Sequence, residues 1–445
     1  MKKRYIANCL KQYKKSSPLR LHMPGHKGEN RLGLGNSYSY DVTELSFSDN
    51  LADPTSVIKS AEEDIARLCS AKKSYLLTGG STLGVLASIY AVKHLGKKLI
   101  VQKGSHKSVF NALQLLNIQP VFLNEKNENG LITVKAFENE DLFESADNDL
   151  IGALITSPDY FGRSADLKKI SKILHKNGKV LIVDGAHGGH FAKFNKECYA
   201  GKYADVWVDG AHKTLNTLTQ GAVLNLNNLD LKEGIEKGLD IFSTSSPSYL
   251  IMASIEDGVK ALHESSTKKL NQFILNTEKV KKAVLSKGFS LVESDDILKI
   301  GINLNNLANG YEVGEYLEKK GIFAELVSDN YLLFMLGLNF SSEQADRLID
   351  ALNGIILKQQ KTQNLKKNIK LQVKTSYLQA VNSPYEWVEV KNAKGLVCAE
   401  NAGLFPPCYP LIVAGEVFDN RVIDQLLNKN TFGVKNGKVK VVKER

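Results

Sequence analysis

The sequence has no cysteine pattern typical of a disulfide framework or a zinc site. Its five cysteines are an odd number and no two have the Cys-x-x-Cys spacing, so a reducing compartment is expected. No run of about 18 apolar residues is present, which argues against a membrane span. The basic first residues lack the apolar core of a signal peptide. These absences predict a cytoplasmic protein.

Signals for nucleic-acid binding are also weak. The net charge of +10 is compatible with either a nucleic acid or an acidic small ligand. The lysines are spread through helical segments such as residues 166–176 and 278–287, as on solvated helix faces. No helix-turn-helix pattern is evident. A phosphate-bearing cofactor therefore fits the charge better than a nucleic acid, and neither a nucleic-acid nor a membrane partner is expected.

A chain of 445 residues predicts a large domain and a smaller one. Residues 1–50 are interpreted as an N-terminal arm. Residues 51–265 alternate apolar strand-like runs with helical segments, which predicts an α/β domain with a mostly parallel sheet. A long polar helix then leads into a smaller α/β domain at residues 266–445. The strand-like runs are residues 99–102, 120–123, 150–156, 179–184, 204–209 and 221–226.

Polar residues follow strand-like runs where α/β proteins bind ligands. Ser81 and Thr82 follow Gly80 at the start of an apolar helix, where N–H groups and hydroxyls can bind an anion. The GxxxxGK[ST] pattern of a P-loop is absent, so a nucleoside triphosphate is not favoured. Asp184 ends the run 179–184, and ligands gather at the carboxyl ends of strands. The alternatives are a glycine turn with a serine N-cap and a helix-capping aspartate.

A lysine and several histidines complete this set. Lys213 follows the run 204–209 after a small-residue turn, as a Schiff-base lysine requires, although an exposed loop lysine fits as well. His106 precedes a helix and can either stack on a planar ligand or belong to a polar turn. His187 and His190 have i, i+3 spacing, but no acidic or cysteine partner has convincing metal-ligand spacing, so no metal is expected.

The order of these groups indicates pyridoxal 5'-phosphate (PLP). A phosphate-binding helix start, a stacking histidine, a strand-end aspartate and a strand-end lysine follow one another in one α/β domain. PLP requires a carboxylate that keeps its pyridine nitrogen protonated, a lysine that bonds to it and a site for its phosphate. The sequence therefore predicts a PLP site.

Several motifs along nearly the whole chain carry a family resemblance. They are HMPGHKG at 22–28, DVTEL at 41–45, TGGSTLG at 78–84, GSHKS at 104–108, LIVDGAH at 181–187, AHKTL at 211–215, STSSPSY at 243–249 and PPCYPLIVAGE at 406–416. With them the chain resembles the bacterial Orn/Lys/Arg decarboxylases, in the short form without a wing domain. The resemblance implies a fold-type I (aspartate aminotransferase-like) PLP enzyme. It also implies decarboxylation of arginine, lysine or ornithine to an amine in polyamine biosynthesis.

The resemblance also implies a role for each matching residue. Lys213 would form the Schiff base, and His212 would lie beside the phosphate and the substrate carboxylate. Asp184 would pair with the pyridine nitrogen, and His106 would stack on the ring and assist protonation. The other implied residues are Gly80, Ser81 and Thr82 at the phosphate, His187 at the cofactor, Ser245 from the partner subunit of a homodimer with shared sites, and Glu416 at the distal amine of the substrate.

Some positions depart from the family pattern. Gly210 stands where the family often has serine, which removes one phosphate contact. Asp159, Cys408 and Ala414 alter the family's SPTY, PPGxP and PGE motifs. These departures leave PLP binding as the prediction and put the substrate in doubt.

Two other readings stay open. One is another PLP-dependent lyase, aldolase or aminotransferase, and the other is a non-catalytic PLP-binding regulator. Glu416 favours decarboxylation, with Asp49 a weaker candidate for an acid that binds a basic substrate. An aminotransferase usually needs an arginine for the α-carboxylate, and Arg163 is the one arginine found in a motif.

Overall fold

A computed structural model describes residues 3–33, 35–128, 131–359, 370–404, 409–428 and 430–443. The α-helices of this part of the chain are α1 (Tyr5–Lys15), α2 (Ser37–Tyr40), α3 (Val57–Leu68), α4 (Gly80–Val92), α5 (Lys107–Leu115), α6 (Leu167–Lys176), α7 (Phe191–Phe194), α8 (Ala211–Thr214), α9 (Lys232–Phe242), α10 (Tyr249–Glu264), α11 (Thr267–Ser286), α12 (Gly310–Lys319), α13 (Ser342–Asn353), α14 (Tyr377–Asn382) and α15 (Asn420–Asn428).

The strands are β1 (Lys73–Leu77), β2 (Lys98–Gln102), β3 (Gln119–Leu123), β4 (Glu125–Glu128), β5 (Leu131–Phe137), β6 (Leu150–Thr156), β7 (Val180–Gly185), β8 (Val206–Asp209), β9 (Ala222–Leu226), β10 (Ser290–Val292), β11 (Lys299–Asn303), β12 (Leu326–Val327), β13 (Tyr331–Met335), β14 (Tyr385–Glu389), β15 (Ala402–Leu404), β16 (Tyr409–Ile412), β17 (Thr431–Phe432) and β18 (Lys438–Val442).

The chain forms two compact units, each made of separate stretches of sequence. The first contains residues 1–94, 156–158 and 166–267, and the second contains residues 95–155, 159–165 and 268–445. The arm and domain boundaries predicted at residues 50 and 265 stay a prediction.

In the first unit, β7 and β8 pair in parallel, whereas β9 pairs antiparallel with both β8 and β1. Every residue of β7 is buried, as expected for a strand covered on both faces. The parallel register places Asp184 opposite Val208 and Gly185 opposite Asp209. The carboxyl ends of β7 and β8 therefore lie side by side.

Close packing of α9 against α4 fixes the helix that starts at Gly80. A Cβ atom at Gly234 would lie 2.9 Å from the Cα atom of Ala91, and one at Gly238 would lie 3.0 Å from that of Ala87. These two glycines of α9 allow the backbones of the two helices to approach. This contact holds the C-terminal half of α4 against α9.

In the second unit, β2 pairs in parallel with β3 and with β6. A separate antiparallel sheet has the order β10-β11-β13-β12. Its apolar residues share a core with side chains of α11, α12 and α13, including Val280, Leu317 and Leu348. Small antiparallel sheets of β14 with β18, of β15 with β16 and β17, and of β4 with β5 complete the unit.

The predicted strands are confirmed as β2, β3, β6, β7, β8 and β9, within two residues at each end. The periodicity did not reveal that β9 runs antiparallel. The ribbon of β4 and β5 was not predicted. β4 (EKNE) is polar throughout, whereas β5 (LITVKAF) is largely apolar and its pattern was missed. No helix in the described part of the chain is long and apolar enough to cross a membrane.

Candidate active site

Lys213 lies in a short helix directly after β8. β8 ends at Asp209, and Lys213 is the third residue of α8. Its Nζ atom lies 3.2 Å from Nε2 of His187, a residue that follows β7. The structure thus brings the turns after β7 and β8 together and places a group that can exchange a proton beside the lysine amine.

Gly210 allows this close approach. A Cβ atom at residue 210 would lie 2.5 Å from the carbonyl oxygen of Ala186, so the backbone would have to shift to accept any side chain. The departure from the serine that the family often carries therefore has a steric reason in this chain.

The carboxylate of Asp184 lies near the end of the adjacent strand. Asp184 is 5% exposed, and its Oδ1 accepts a hydrogen bond of 3.2 Å from the N–H of Ala186. Because β7 and β8 are parallel, this acid and the turn that carries Lys213 lie at neighbouring carboxyl ends. Ligands of α/β sheets bind at such ends.

The predicted phosphate site and the turn that carries His212 are both hydrogen-bonded to residues 220–221. Gly80, with φ of +72°, donates its N–H to the carbonyl of Gln220 at 2.8 Å. His212 donates its backbone N–H to the carbonyl of Gly221 at 3.0 Å, and its Nδ1 lies 2.9 Å from the same oxygen. Since a carbonyl only accepts, Nδ1 of His212 carries a proton and Nε2 is the acceptor of the neutral ring.

The start of α4 has the features that a phosphate requires. The first N–H groups of any helix have no acceptor within the helix, and they carry partial positive charge. α4 is 13 residues long, with Ser81 half-buried and Thr82 exposed in its first turn. The N–H of Gly80 is bound to Gln220, so the N–H groups and hydroxyls of Ser81 and Thr82 are those that fit a phosphate group.

A buried acid at the end of β8 was missed as a site residue by the sequence reasoning. Oδ2 of Asp209 accepts hydrogen bonds from Tyr199 Oη, Trp207 Nε1 and Asn225 Nδ2, at 2.9, 3.2 and 3.0 Å. Burial raises the pKa of Asp209 to about 7, although the three hydrogen bonds oppose the rise. Asp209 is the last residue of β8, four positions before Lys213. Its hydrogen bond with Asn225 links it to the neighbouring strand β9.

In the second unit, His106 caps α5. Its Nδ1 accepts the N–H of Ser108 at 3.3 Å and lies 2.9 Å from the hydroxyl oxygen of the same serine. Because Nδ1 accepts, Nε2 carries the proton of the neutral ring. His106 is exposed, as a ring that stacks on a ligand must be before the ligand binds.

Glu416, also in the second unit, forms a buried ion pair with Lys103. Its two carboxylate oxygens lie 2.9 and 3.0 Å from Nζ of Lys103, and one of them accepts the N–H of Val413 at 2.8 Å. The residue is 9% exposed. The role of Glu416 at the distal amine of the substrate stays a prediction. Lys103 itself gave no signal in the sequence.

Asp49, the weaker candidate for a substrate acid, caps the start of α3. Its carboxylate accepts N–H groups of Asn50, Thr55, Ser56 and Ile58, at 2.8 to 3.0 Å. Burial tends to raise the pKa of Asp49, but these hydrogen bonds bring it below its ordinary value. The contacts of Asp49 are therefore those of a capping residue.

Arg163 is held within its own loop. Its Nε and Nη2 atoms both lie 2.8 Å from Oδ2 of Asp159, and its side chain is 6% exposed. The arginine that an aminotransferase would use for a substrate carboxylate is thus bound to the aspartate that replaces the family's threonine. This pair disfavours the aminotransferase reading.

The remaining predicted residues have diverse environments. Ser245 is exposed, and its role toward a partner subunit stays a prediction. His190 is buried with its ring centroid 4.8 Å from that of Phe191, and Ala414 is buried. Cys408 lies outside the described residues. Among the described residues, no three His, Cys, Asp or Glu side chains are grouped to hold a metal ion.

The fold and these side chains define an α/β protein with a lysine and an aspartate at neighbouring strand ends and a helix start that fits an anion. The family model of the Orn/Lys/Arg decarboxylase major domain matches residues 6–300. The chain therefore belongs to the Orn/Lys/Arg decarboxylase family. This confirms the predicted family and the predicted enzyme class, an amino-acid decarboxylase.

Individual relatives agree with this assignment. The chain is 29% identical to the uncharacterized protein YaaO of Bacillus subtilis, over 95% of this chain and 93% of YaaO. It is 28% identical to an arginine decarboxylase of the same organism, over 96% and 93%. The crystal structure of the lysine decarboxylase LdcF of Francisella novicida has a TM-score of 0.81 at 17% identity, covering 99% of this chain and 81% of LdcF. This likeness confirms the predicted fold class, the α/β fold of the fold-type I enzymes.

Proposed function

We propose that this chain binds PLP on Lys213 and decarboxylates a basic amino acid, namely arginine, lysine or ornithine. The observation that carries the proposal is the placement of Asp184 and Lys213 after two neighbouring parallel strands, β7 and β8. Family membership supports amino-acid decarboxylation. The relative named arginine decarboxylase makes arginine the first substrate to test.

The residues of the first unit fit the cofactor. Asp184 would keep the pyridine nitrogen protonated, and the start of α4 at Gly80, Ser81 and Thr82 would hold the phosphate. His212 would lie beside the phosphate and His187 beside the cofactor. When bound, PLP supplies an acceptor for the electron pair of the bond between Cα and the carboxylate of the substrate.

Proton transfers would be the task of the histidines and the lysine. Nε2 of His106 carries its ring proton, and the family resemblance assigns His106 the protonation of Cα after CO₂ has left. His187, at 3.2 Å from Nζ of Lys213, would exchange a proton with the amine when the lysine is not bonded to the cofactor. We further propose a cytoplasmic homodimer in which Ser245 serves the site of the partner subunit.

The test is an absorbance scan of the purified protein, combined with an assay of CO₂ released from L-arginine, L-lysine and L-ornithine. We expect a band at about 420 nm, the signature of PLP bonded to a lysine, and CO₂ from one of the three. Lys213→Ala should lose both. Lys202→Ala, which removes an exposed lysine of the same unit that pairs with Glu197, should keep both.

Each other result has a defined meaning. A band that persists in Lys213→Ala would show that PLP bonds to a different lysine. A band without CO₂ from any of the three amino acids keeps the cofactor and moves the assignment to another PLP-dependent reaction. The absence of a band after addition of PLP refutes the proposal.

A further inference from the structure

The turn at residues 103–106, here called the His106 turn, is held by two carboxylates of the second unit. Lys103 directly follows β2, and its Nζ contacts both carboxylate oxygens of Glu416. The N–H of Gly104 donates to Oε1 of Glu125 at 3.0 Å. Glu416 thus binds the side chain of Lys103, and Glu125 binds the backbone of Gly104, two residues before His106.

The orientation of the Glu416 carboxylate is set by its own segment. One oxygen accepts the N–H of Val413, and the carbonyl of Val413 in turn accepts the N–H of Glu416 at 3.1 Å. The carbonyl of Glu416 accepts the N–H of Cys398 at 2.8 Å. The side chains of Glu416 and Lys103 are each 11% exposed.

The same C-terminal segment contacts the His106 turn a second time, through Tyr409. A Cβ atom at Gly104 would lie 2.8 Å from the ring of Tyr409 and from Oε1 of Glu125. Oη of Tyr409 donates to the other oxygen of Glu125 at 3.4 Å. The segment 409–416 therefore contacts the His106 turn at both of its ends, through the ring of Tyr409 and through the ion pair of Glu416 with Lys103.

We propose that Glu416 and Lys103 are a positioning pair for His106, so that the segment 409–416 acts on the proton-transferring histidine through the turn that carries it. The inference rests on the proposed function for what His106 does in the reaction. The placement of the turn by the pair does not depend on that function.

Kinetics of the PLP-loaded enzyme separate the two roles of Glu416. Glu416→Gln and Lys103→Met should each lower kcat about 10-fold or more and leave KM within about threefold, because each disrupts the turn without removing a substrate contact. The double variant should be no worse than either single variant, since both changes break one interaction. Lys103→Arg keeps the charge and should restore most of kcat.

If Glu416 instead binds the distal amine of the substrate, the variants should show the opposite kinetic pattern. Glu416→Gln would then raise KM about 10-fold or more, while Lys103→Met would free the carboxylate and leave kcat unchanged. Either that pattern or additive losses in the double variant would overturn the proposal.

Hydrogen exchange of the cofactor-free protein tests the placement without any activity. Amides of residues 104–108 should exchange about 10-fold faster in Glu416→Gln and in Lys103→Met. The control, Lys98→Met, removes a partly exposed ion pair with Asp147 at the other end of β2 and should leave their exchange unchanged. If a single variant fails to fold, the double variant, which leaves no unpaired buried charge, should show the same faster exchange.

Unchanged exchange in the variants without the pair overturns the proposal, whether or not the enzyme decarboxylates any amino acid. Faster exchange in a protein that releases no CO₂ supports the positioning pair and counts only against the proposed function.

Discussion

Replacing Gly210 with serine restores the residue that the family often carries, and we expect this change to impair the protein. The added Cβ atom would lie 2.5 Å from the carbonyl oxygen of Ala186, about 0.8 Å inside an ordinary carbon–oxygen contact of about 3.3 Å. The carbonyl oxygen is a backbone atom, and the position of the Cβ atom is fixed by the backbone of residue 210. The turn after β7 or the turn after β8 therefore has to move.

The magnitude follows from which groups lie on these turns. Overpacking costs about 1–3 kcal/mol of unfolding free energy, and the upper half of that range is expected for a clash with backbone. His187 and Lys213 lie on the two displaced turns, and a shift of about 1 Å is enough to lower turnover about 100-fold. That loss corresponds to about 2.7 kcal/mol in the activation free energy.

Two measurements check the effect of Gly210→Ser. Urea denaturation gives the change in unfolding free energy, and the absorbance scan with CO₂ assay gives cofactor binding and turnover. The control is Gly189→Ala, because a Cβ atom there meets its nearest neighbour at 3.4 Å, an ordinary contact, so a change below about 1 kcal/mol is expected. A Gly210→Ser protein as stable and as active as the wild type would show that the turns are not held at this distance.

Two other acids give further predictions. Because the pKa of Asp209 is raised to about 7, native Asp209 keeps a proton that the unfolded chain loses, so its stabilising effect is full at low pH and is lost as the pH rises. The unfolding free energy of the wild type minus that of Asp209→Asn should fall about 1.4 kcal/mol per unit between about pH 4 and pH 7; urea titrations giving a flat difference would contradict this. Asp49→Ala should cost about 1 kcal/mol through loss of the α3 cap with KM unchanged, whereas a raised KM with unchanged stability would make Asp49 a substrate acid.

The sequence patterns predicted the strands that place the candidate site. The apolar runs that became β7 and β8 each end in an aspartate, at Asp184 and Asp209, and the small-residue turn before Lys213 was visible as Gly210 and Ala211. Strand ends, helix starts and their order are local features, so composition and periodicity report them. These features were enough to predict a lysine and an acid at neighbouring carboxyl ends.

Contacts between distant parts of the chain were not predictable in the same way. Lys103 and Glu416 are 313 positions apart, and no local pattern marks either as the partner of the other. The three donors to Asp209 come from Tyr199, Trp207 and Asn225, whose convergence depends on the packing of a short loop and two strands. Burial and pairing of such groups are tertiary properties, which local sequence patterns do not show.

Roles transferred residue by residue are least secure where a family's side chain is missing or already bound. At residue 210, the Ala186 carbonyl oxygen lies 2.5 Å from where a Cβ atom would be, so the missing serine hydroxyl cannot be restored without moving the turn after β7 or the turn that carries Lys213. At residue 416, the expected glutamate is present, but its carboxylate contacts Lys103. At both positions the deciding contact is with a residue outside the motif, namely Ala186 for residue 210 and Lys103 for residue 416. The substrate of this decarboxylase therefore has to be established by measurement of CO₂ release, because the residue at position 416 does not define it.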